Sequence, residues 1–258
     1  MGTTIAVAGK GGTGKTLLSA LLIEMLASRG TVLAVDADPS VNLHMALGLP
    51  EPETIGDIRE EMGDAARSGR LPPNMSKLEY IELRAREAMV ESAGVDLVAM
   101  GRPEGPGCYC AANYNLRTFL DRLARTYDYV VIDNEAGMEH ISRQTERDID
   151  ILLLVSDPTI RGITTAGRMQ ELIGELRTQV AQVRLVVNRV NGDLSPEVSE
   201  AVQKLGLNLL GTVPLDPTVA ELDARGLPIV ELPLDSPVRQ AVRGLALQLG
   251  LVQEPVRG

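Results

Sequence analysis

Apolar and polar positions fall into two kinds of block along the chain. Short runs dominated by Val, Ile, Leu and Ala recur at Thr4–Ala8, Thr31–Val35, Val95–Met100, Tyr129–Asp133, Ile151–Ser156, Val183–Asn188 and Leu207–Val213. Between them lie helical patterns, the clearest from Leu17 to Ser28, rich in Leu, Ala, Ile, Met and Glu. Several strand-like runs are continuous rather than alternating, as in parallel strands covered on both faces. The alternation of the two kinds of block predicts βαβ units and an α/β class, a three-layer α/β/α domain with a mostly parallel central sheet. Ser236-Pro237 marks the start of a last helix, a cap residue followed by Pro in the first turn. That helix carries Arg239 and Arg243 but is not strongly basic, and reads as packing rather than as a membrane anchor. Residues 50–93 differ in texture: charged, helical in pattern, and broken by Pro72-Pro73 and glycines. They read as a helical insertion of the sort that often carries partner contacts. Glu79, Glu82, Arg84, Arg86 and Glu87 form a solvated face in this reading, with no visible chemistry. A length of 258 residues suits one α/β domain spanning 1–258.

Composition narrows the classes of function. No apolar run approaches the ~20 residues of a membrane span. No signal peptide precedes the first strand, so a cytoplasmic location is expected. The net charge of −10, with five Tyr, one Phe and no Trp, disfavours nucleic acid, which wants basic faces and stacking platforms. It equally disfavours an anionic membrane surface. Two cysteines in one tripeptide do not make a disulfide framework.

Gly9-Lys10-Gly11-Gly12-Thr13-Gly14-Lys15-Thr16 changes the picture most. It fits G-x-x-x-x-G-K-[ST], the phosphate loop, and lies between a predicted strand and a predicted helix, as that motif requires. Glycines let backbone N–H groups wrap phosphate oxygens, and the helix N-terminus adds partial positive charge. Lys15 is expected on the β- and γ-phosphates and the Thr16 hydroxyl on Mg²⁺. The chain has only four lysines, Lys10, Lys15, Lys77 and Lys204, against 21 arginines, and two of the four share this loop. A compact ammonium fits a phosphate crevice where a broad guanidinium does not. Asp36 and Asp38 stand at the C-terminal edge of the second predicted strand, where open α/β sheets bind ligands. A spacing of two places them on one side of an extended chain; the bland alternative is a turn cap ahead of Pro39. Asp133 ends an apolar strand as the metal-holding acid of a Walker B pattern does, directly or through water. Asn188, at another strand end, can pair with an adenine edge through its donor and acceptor, or can simply signal a turn.

The sequence Lys10-Gly-Gly-Thr-Gly-Lys15-Thr16 resembles the deviant Walker A signature of the MinD/ParA/nitrogenase-iron-protein class of P-loop NTPases. By that resemblance Lys10 reaches across a homodimer to the partner's nucleotide, so that two ATP molecules are sandwiched between subunits. The resemblance also gives Asp36 a place in the Mg²⁺ shell and Asp38 the orientation of the attacking water. Asn134-Glu135-Ala136-Gly137 becomes a second switch whose glycine senses the γ-phosphate. Asn188 and Arg189, with Pro214 and Asp216, take the positions of base-contacting loops. ATP, ADP and Mg²⁺ are the cofactors implied.

Cys108-Tyr109-Cys110 follows the third predicted strand. Two thiols are half of a tetrahedral site, and a two-fold axis would supply the rest. Soft thiolates suit Zn²⁺, Ni²⁺, Cu(I) or an iron–sulfur cluster; two free or redox-active thiols are the plain alternative. Pro103 to Cys108 looks like the cysteine loop of the nitrogenase iron protein, but its second cluster ligand would fall at Ala136. The C-x-C with Gly137-Met138-Glu139-His140 more closely resembles the CooC-type nickel-insertion ATPases that mature carbon monoxide dehydrogenase and acetyl-CoA synthase. That resemblance implies an ATP-hydrolysing metallochaperone holding Ni²⁺ or Zn²⁺ at Cys108 and Cys110 between protomers, with one of those enzymes as client. A redox ATPase with a bridging cluster and a MinD/ParA-type positioning ATPase are the competing readings. His140, a lone histidine beside an acid, reads first as half of a structural pair.

Overall fold

Each apolar run read as a strand overlaps one, to within three residues at its ends, and those strands join one sheet. The computed structural model describes residues 2–69, 72, 75–102, 122–136, 149–173 and 179–253. The strands are β1 (Thr3–Gly9), β2 (Val32–Ala37), β3 (Val90–Ser92), β4 (Val95–Ala99), β5 (Tyr129–Ala136), β6 (Ile149–Ser156), β7 (Val180–Val190) and β8 (Leu209–Pro214). Their order is β3-β4-β2-β5-β1-β6-β7-β8. All neighbours run parallel except β3, which folds back on β4. β3 was not legible in the sequence, being three residues long and joined to β4 through a turn at Gly94 (φ 80°).

The helices are α1 (Lys15–Ala27), α2 (Leu43–Leu47), α3 (Ile55–Arg67), α4 (Lys77–Glu87), α5 (Ile160–Ile173), α6 (Pro196–Lys204), α7 (Pro217–Ala224) and α8 (Pro237–Gln248), with a 3₁₀ turn at Ile229–Glu231. They cover both faces. Ile5 and Val7 of β1 point to one core with α1, α2 and α8, and Ala6 and Ala8 to the other with α3 to α6. This is the three-layer α/β/α architecture, its sheet parallel but for one edge strand.

Helix α1 is apolar nearly all round because it lies between the sheet and α8. Leu18, Leu21, Leu22, Ile23 and Leu26 are each at most 2% exposed, and each such burial contributes about 1.5–3 kcal/mol. Arg239 of α8 ties the layers together: Nη1 donates to both oxygens of Glu24 on α1 (2.9 and 2.7 Å), and Nη2 to the Val230 carbonyl (2.6 Å). As the sequence indicates, Ser236 caps α8, accepting from Arg239 N.

Within residues 50–93, α3 and α4 both open on capping boxes, Thr54 with Asp57 and Ser76 with Glu79. Ile55, Ile58, Met62, Ile81 and Ala85 belong to the core, so the charged texture is only the outer side of a packed helix pair. Glu79 is a helix cap rather than part of a plain solvated face. Arg84 bridges Glu53, Glu61 and Glu87 at 2.8, 3.1 and 2.9 Å, partly exposed pairs worth about 0–1 kcal/mol each. Among the described residues no helix is long and apolar enough to cross a membrane.

Candidate nucleotide site

The sheet delivers five segments to one end: the loop after β1, the turn after β2, the end of β5, the loop after β7 and the loop after β8. The phosphate loop leaves β1 at Gly9 and enters α1 at Lys15. Gly12 (φ 77°) and Gly14 (φ 91°) hold left-handed backbone that a side chain would strain. A Cβ on Gly12 would meet nothing within 4 Å, so the loop is open on that side. Gly11 and Gly12 are exposed, Thr13 is buried, and Lys15 is only 7% exposed. Thr13 Oγ1 donates to the Lys10 carbonyl (2.9 Å), bracing the loop from inside while the Lys10 residue stays exposed on its rim. Gly14 stands at the N-cap of α1, which has no side-chain cap and no acid in its first turn. Its first N–H groups and its dipole are therefore left for an anion, on a loop whose glycines admit one.

Asp133 of β5 sits below that loop, 1% exposed. Its Oδ2 accepts from Thr16 Oγ1 (2.6 Å) and its Oδ1 from Ser19 Oγ (3.0 Å). Burial pushes its pKa up to about 6, helped by the charge of Asp36; the two hydroxyls and Lys15 pull the other way. Ser19 was missed in the sequence, although it stands three residues after Thr16 and hence on the same helix face. Thr16, Ser19 and Asp133 offer hard oxygen donors, the chemistry Mg²⁺ takes, so the residues fit that ion.

Asp36 faces Asp133 as its register partner across β2 and β5. It is fully buried, and burial raises its pKa against the lowering effect of two backbone hydrogen bonds. Those come from Leu43 N (2.8 Å) and Asp38 N (3.0 Å). Asp38 does not continue on the same side of an extended chain: β2 ends at Ala37, and Asp38 lies in a turn where its Oδ1 accepts from Ser40 N (2.9 Å). The turn-capping alternative therefore describes the local geometry of both acids. The same turn puts Val41 at φ 48°, unusual for a β-branched residue.

Beside the loop opens a cavity of about 710 Å³. Asn188, Arg189, Pro214 and Asp216 line it together with Gly14 and Thr16, so the residues assigned from β7 and β8 converge on the loop. Met45 and Ala46 of α2, Leu227 and Ile229 complete an apolar wall that the sequence did not suggest. Asp216 caps α7 through Thr218 N (2.9 Å) and accepts from Ser236 Oγ (3.0 Å). Burial works to raise its pKa, but these hydrogen bonds outweigh it and leave the carboxyl below its usual range. Cys108, Cys110, Gly137 and His140 lie outside the described residues. Among the described residues no group of three His, Cys, Asp or Glu could hold a metal ion.

Residues 4–229 match the CobQ/CobB/MinD/ParA nucleotide binding domain. An uncharacterized ATP-binding protein of Methanocaldococcus jannaschii is 41% identical over 243 residues, 94% of this chain and 96% of that protein. The carbon monoxide dehydrogenase accessory protein CooC of Rhodospirillum rubrum is 31% identical over 246 residues, 88% of this chain and 89% of that one. Among solved structures, the septum site-determining protein MinD of Pyrococcus horikoshii, complexed with Mg-ADP, superposes with a TM-score of 0.68 at 24% identity, over 96% of each chain; that likeness is one of fold. By its phosphate loop, its sheet and a match across most of its length, the chain belongs to the CobQ/CobB/MinD/ParA nucleotide-binding family and is one of its P-loop ATPases.

Proposed function

We propose that this ATPase is a metallochaperone, one that uses ATP to gate a thiolate site for Ni²⁺ or Zn²⁺ and hands the metal to carbon monoxide dehydrogenase or acetyl-CoA synthase. What carries the reading is the Cys108-Tyr109-Cys110 tripeptide in a chain 31% identical to CooC over nearly its whole length. Lys15 and the loop amides of Gly11, Gly12, Thr13 and Gly14 hold the phosphates. Thr16 and Asp133, with Asp36 behind them, hold Mg²⁺, which when bound offsets charge on the β- and γ-phosphates. Asp38 orients the attacking water, and Lys10 reaches the nucleotide of a second copy. Cys108 and Cys110 of each copy make up a four-thiolate site for the cargo metal. Dimer and monomer then differ in metal affinity, and the γ-phosphate biases the two.

The test is metal stoichiometry with ATP present, for the wild type and for Cys108→Ala/Cys110→Ala. One Ni²⁺ or Zn²⁺ per two chains is expected, absent from the double variant; unchanged binding by that variant overturns the reading. The second reading, a positioning ATPase, is favoured by the fold likeness to MinD. It predicts ATP-dependent sedimentation with anionic vesicles or DNA, against which stand the net charge of −10 and a C-terminal helix packed into the core.

A further inference from the structure

Asn188 stands at the end of β7, 175 positions from the phosphate loop, and touches it. Its Nδ2 donates to the Thr13 carbonyl at 2.8 Å, and its Oδ1 accepts from Arg189 N at 2.8 Å. Asn188 is 5% exposed. The orientation of the amide is fixed by its neighbours: a carbonyl can only accept and a backbone N–H can only donate, so flipping the group would break both bonds. Contact is close enough to exclude any side chain opposite, since a Cβ on Gly14 would lie 2.2 Å from Nδ2. Arg189, the next residue, adopts φ 60°, a left-handed conformation rare outside Gly and Asn.

We infer that Asn188 is a positioning residue for the phosphate loop, a strut that holds Thr13 and Gly14 in their phosphate-binding conformation whatever base is bound. The inference rests on the ATPase reading and not on the cysteine site. A residue that only reads adenine would leave the phosphate end of the site indifferent to its loss. A strut shared by base loop and phosphate loop makes every ligand that uses the phosphates depend on it. Without Asn188, the buried Thr13 carbonyl loses its donor and the Arg189 N–H loses its acceptor.

The test compares Asn188→Asp and Asn188→Ala with wild type by calorimetric titration of Mg-ATP, Mg-GTP and inorganic tripolyphosphate, which has no base. Asn188→Asp keeps the shape but turns an acceptor toward the Thr13 carbonyl. Affinity for all three ligands is expected to fall by a common factor, roughly tenfold to a hundredfold for Asn188→Asp. The melting midpoint of the nucleotide-free variants is recorded alongside, because a purely structural role would lower it while leaving affinity at low temperature intact. A loss confined to ATP, or unchanged tripolyphosphate binding, overturns the inference. Loss of tripolyphosphate binding by Lys15→Ala checks independently that the phosphates are held by the loop at all. Should the Asn188 variants fail to fold, side-chain amide exchange in the nucleotide-free wild type decides: one Asn188 Nδ2 proton protected supports the strut, and both exchanging freely refutes it.

Discussion

Asp133 and Asp36 invite comparison because they share so much. They are register partners on adjacent strands, at most 1% exposed, and burial pushes both carboxyls above the usual range. Their donors differ. Asp133 accepts from two hydroxyls, Thr16 and Ser19, which can swivel and turn their lone pairs toward a cation. Asp36 accepts from two backbone N–H groups, Asp38 and Leu43, which belong to the turn it holds and cannot swivel. For buried carboxylates on one sheet face, the kind of donor separates a group whose partners can turn to admit a ligand from one that also fixes the loop behind it. The phosphate-loop region is arranged for exchange, and the turn after β2 for restraint.

The largest expected effect follows from breaking the first half of that comparison. Asp133→Asn should lower ATP turnover by roughly a hundredfold or more, since the charge proposed to hold Mg²⁺ is gone. The same substitution should leave the nucleotide-free melting midpoint unchanged or raised, because a buried charge has been replaced by an amide that still accepts from one hydroxyl. Steady-state hydrolysis and thermal unfolding of one preparation check both halves. Turnover above about a tenth of wild type would mean that Asp133 is a packing group like its neighbour.

Asp36→Asn should show the reverse balance. One backbone N–H loses its acceptor and faces an NH₂, at a cost of about 1–3 kcal/mol in stability. For a chain of this size that is a drop of roughly 2–4 °C in melting midpoint per kcal/mol. If the midpoint does not move while turnover falls as far as in Asp133→Asn, the two acids share one role and the distinction between them fails.

How much of this was legible in the sequence depends on what each residue answers to. The parallel strands were legible because their burial on both faces leaves continuous apolar runs, unlike the short edge strand β3, and the phosphate loop because its glycines and lysine sit between such a strand and a helix. The ends of strands were not. Asp38 was placed beside Asp36 on an extended chain, but β2 stops at Ala37, and where a strand gives way to a turn is decided by hydrogen bonds from Leu43 and Asp38 that no periodicity encodes. Asn188 was singled out for its donor and acceptor; that both are engaged with Thr13 and Arg189 depends on β7 lying beside the loop, a long-range fact. The charges of residues 50–93 concealed core positions such as Ile58 and Met62, since an amphipathic helix pair with a dense ionic face reads as polar on average.

The smallest effect tests whether the restraint on the β2 turn carries a cost. Val41 lies within that turn at φ 48°, its N–H donating to the Asp38 carbonyl at 3.0 Å, between the two backbone groups that Asp36 holds. For an L-residue the left-handed region costs about 1–2 kcal/mol, and β-branching adds crowding at χ1. Val41→Asn, a residue that tolerates this region, should raise the nucleotide-free midpoint by the equivalent of about 1 kcal/mol, the half-buried valine methyls accounting for the shortfall from full relief. Val41→Ile keeps the strain and should not raise it. The double variant with Asp36→Asn sharpens the matter. If Asp36 is what holds the turn in its strained form, losing it lets the turn relax, and Val41→Asn then has less strain left to relieve. The two substitutions should be non-additive, with a coupling of about 0.5 kcal/mol or more. Strict additivity would mean that Asp36 and the strained residue belong to separate devices, and that burial of Asp36 serves the sheet rather than the turn.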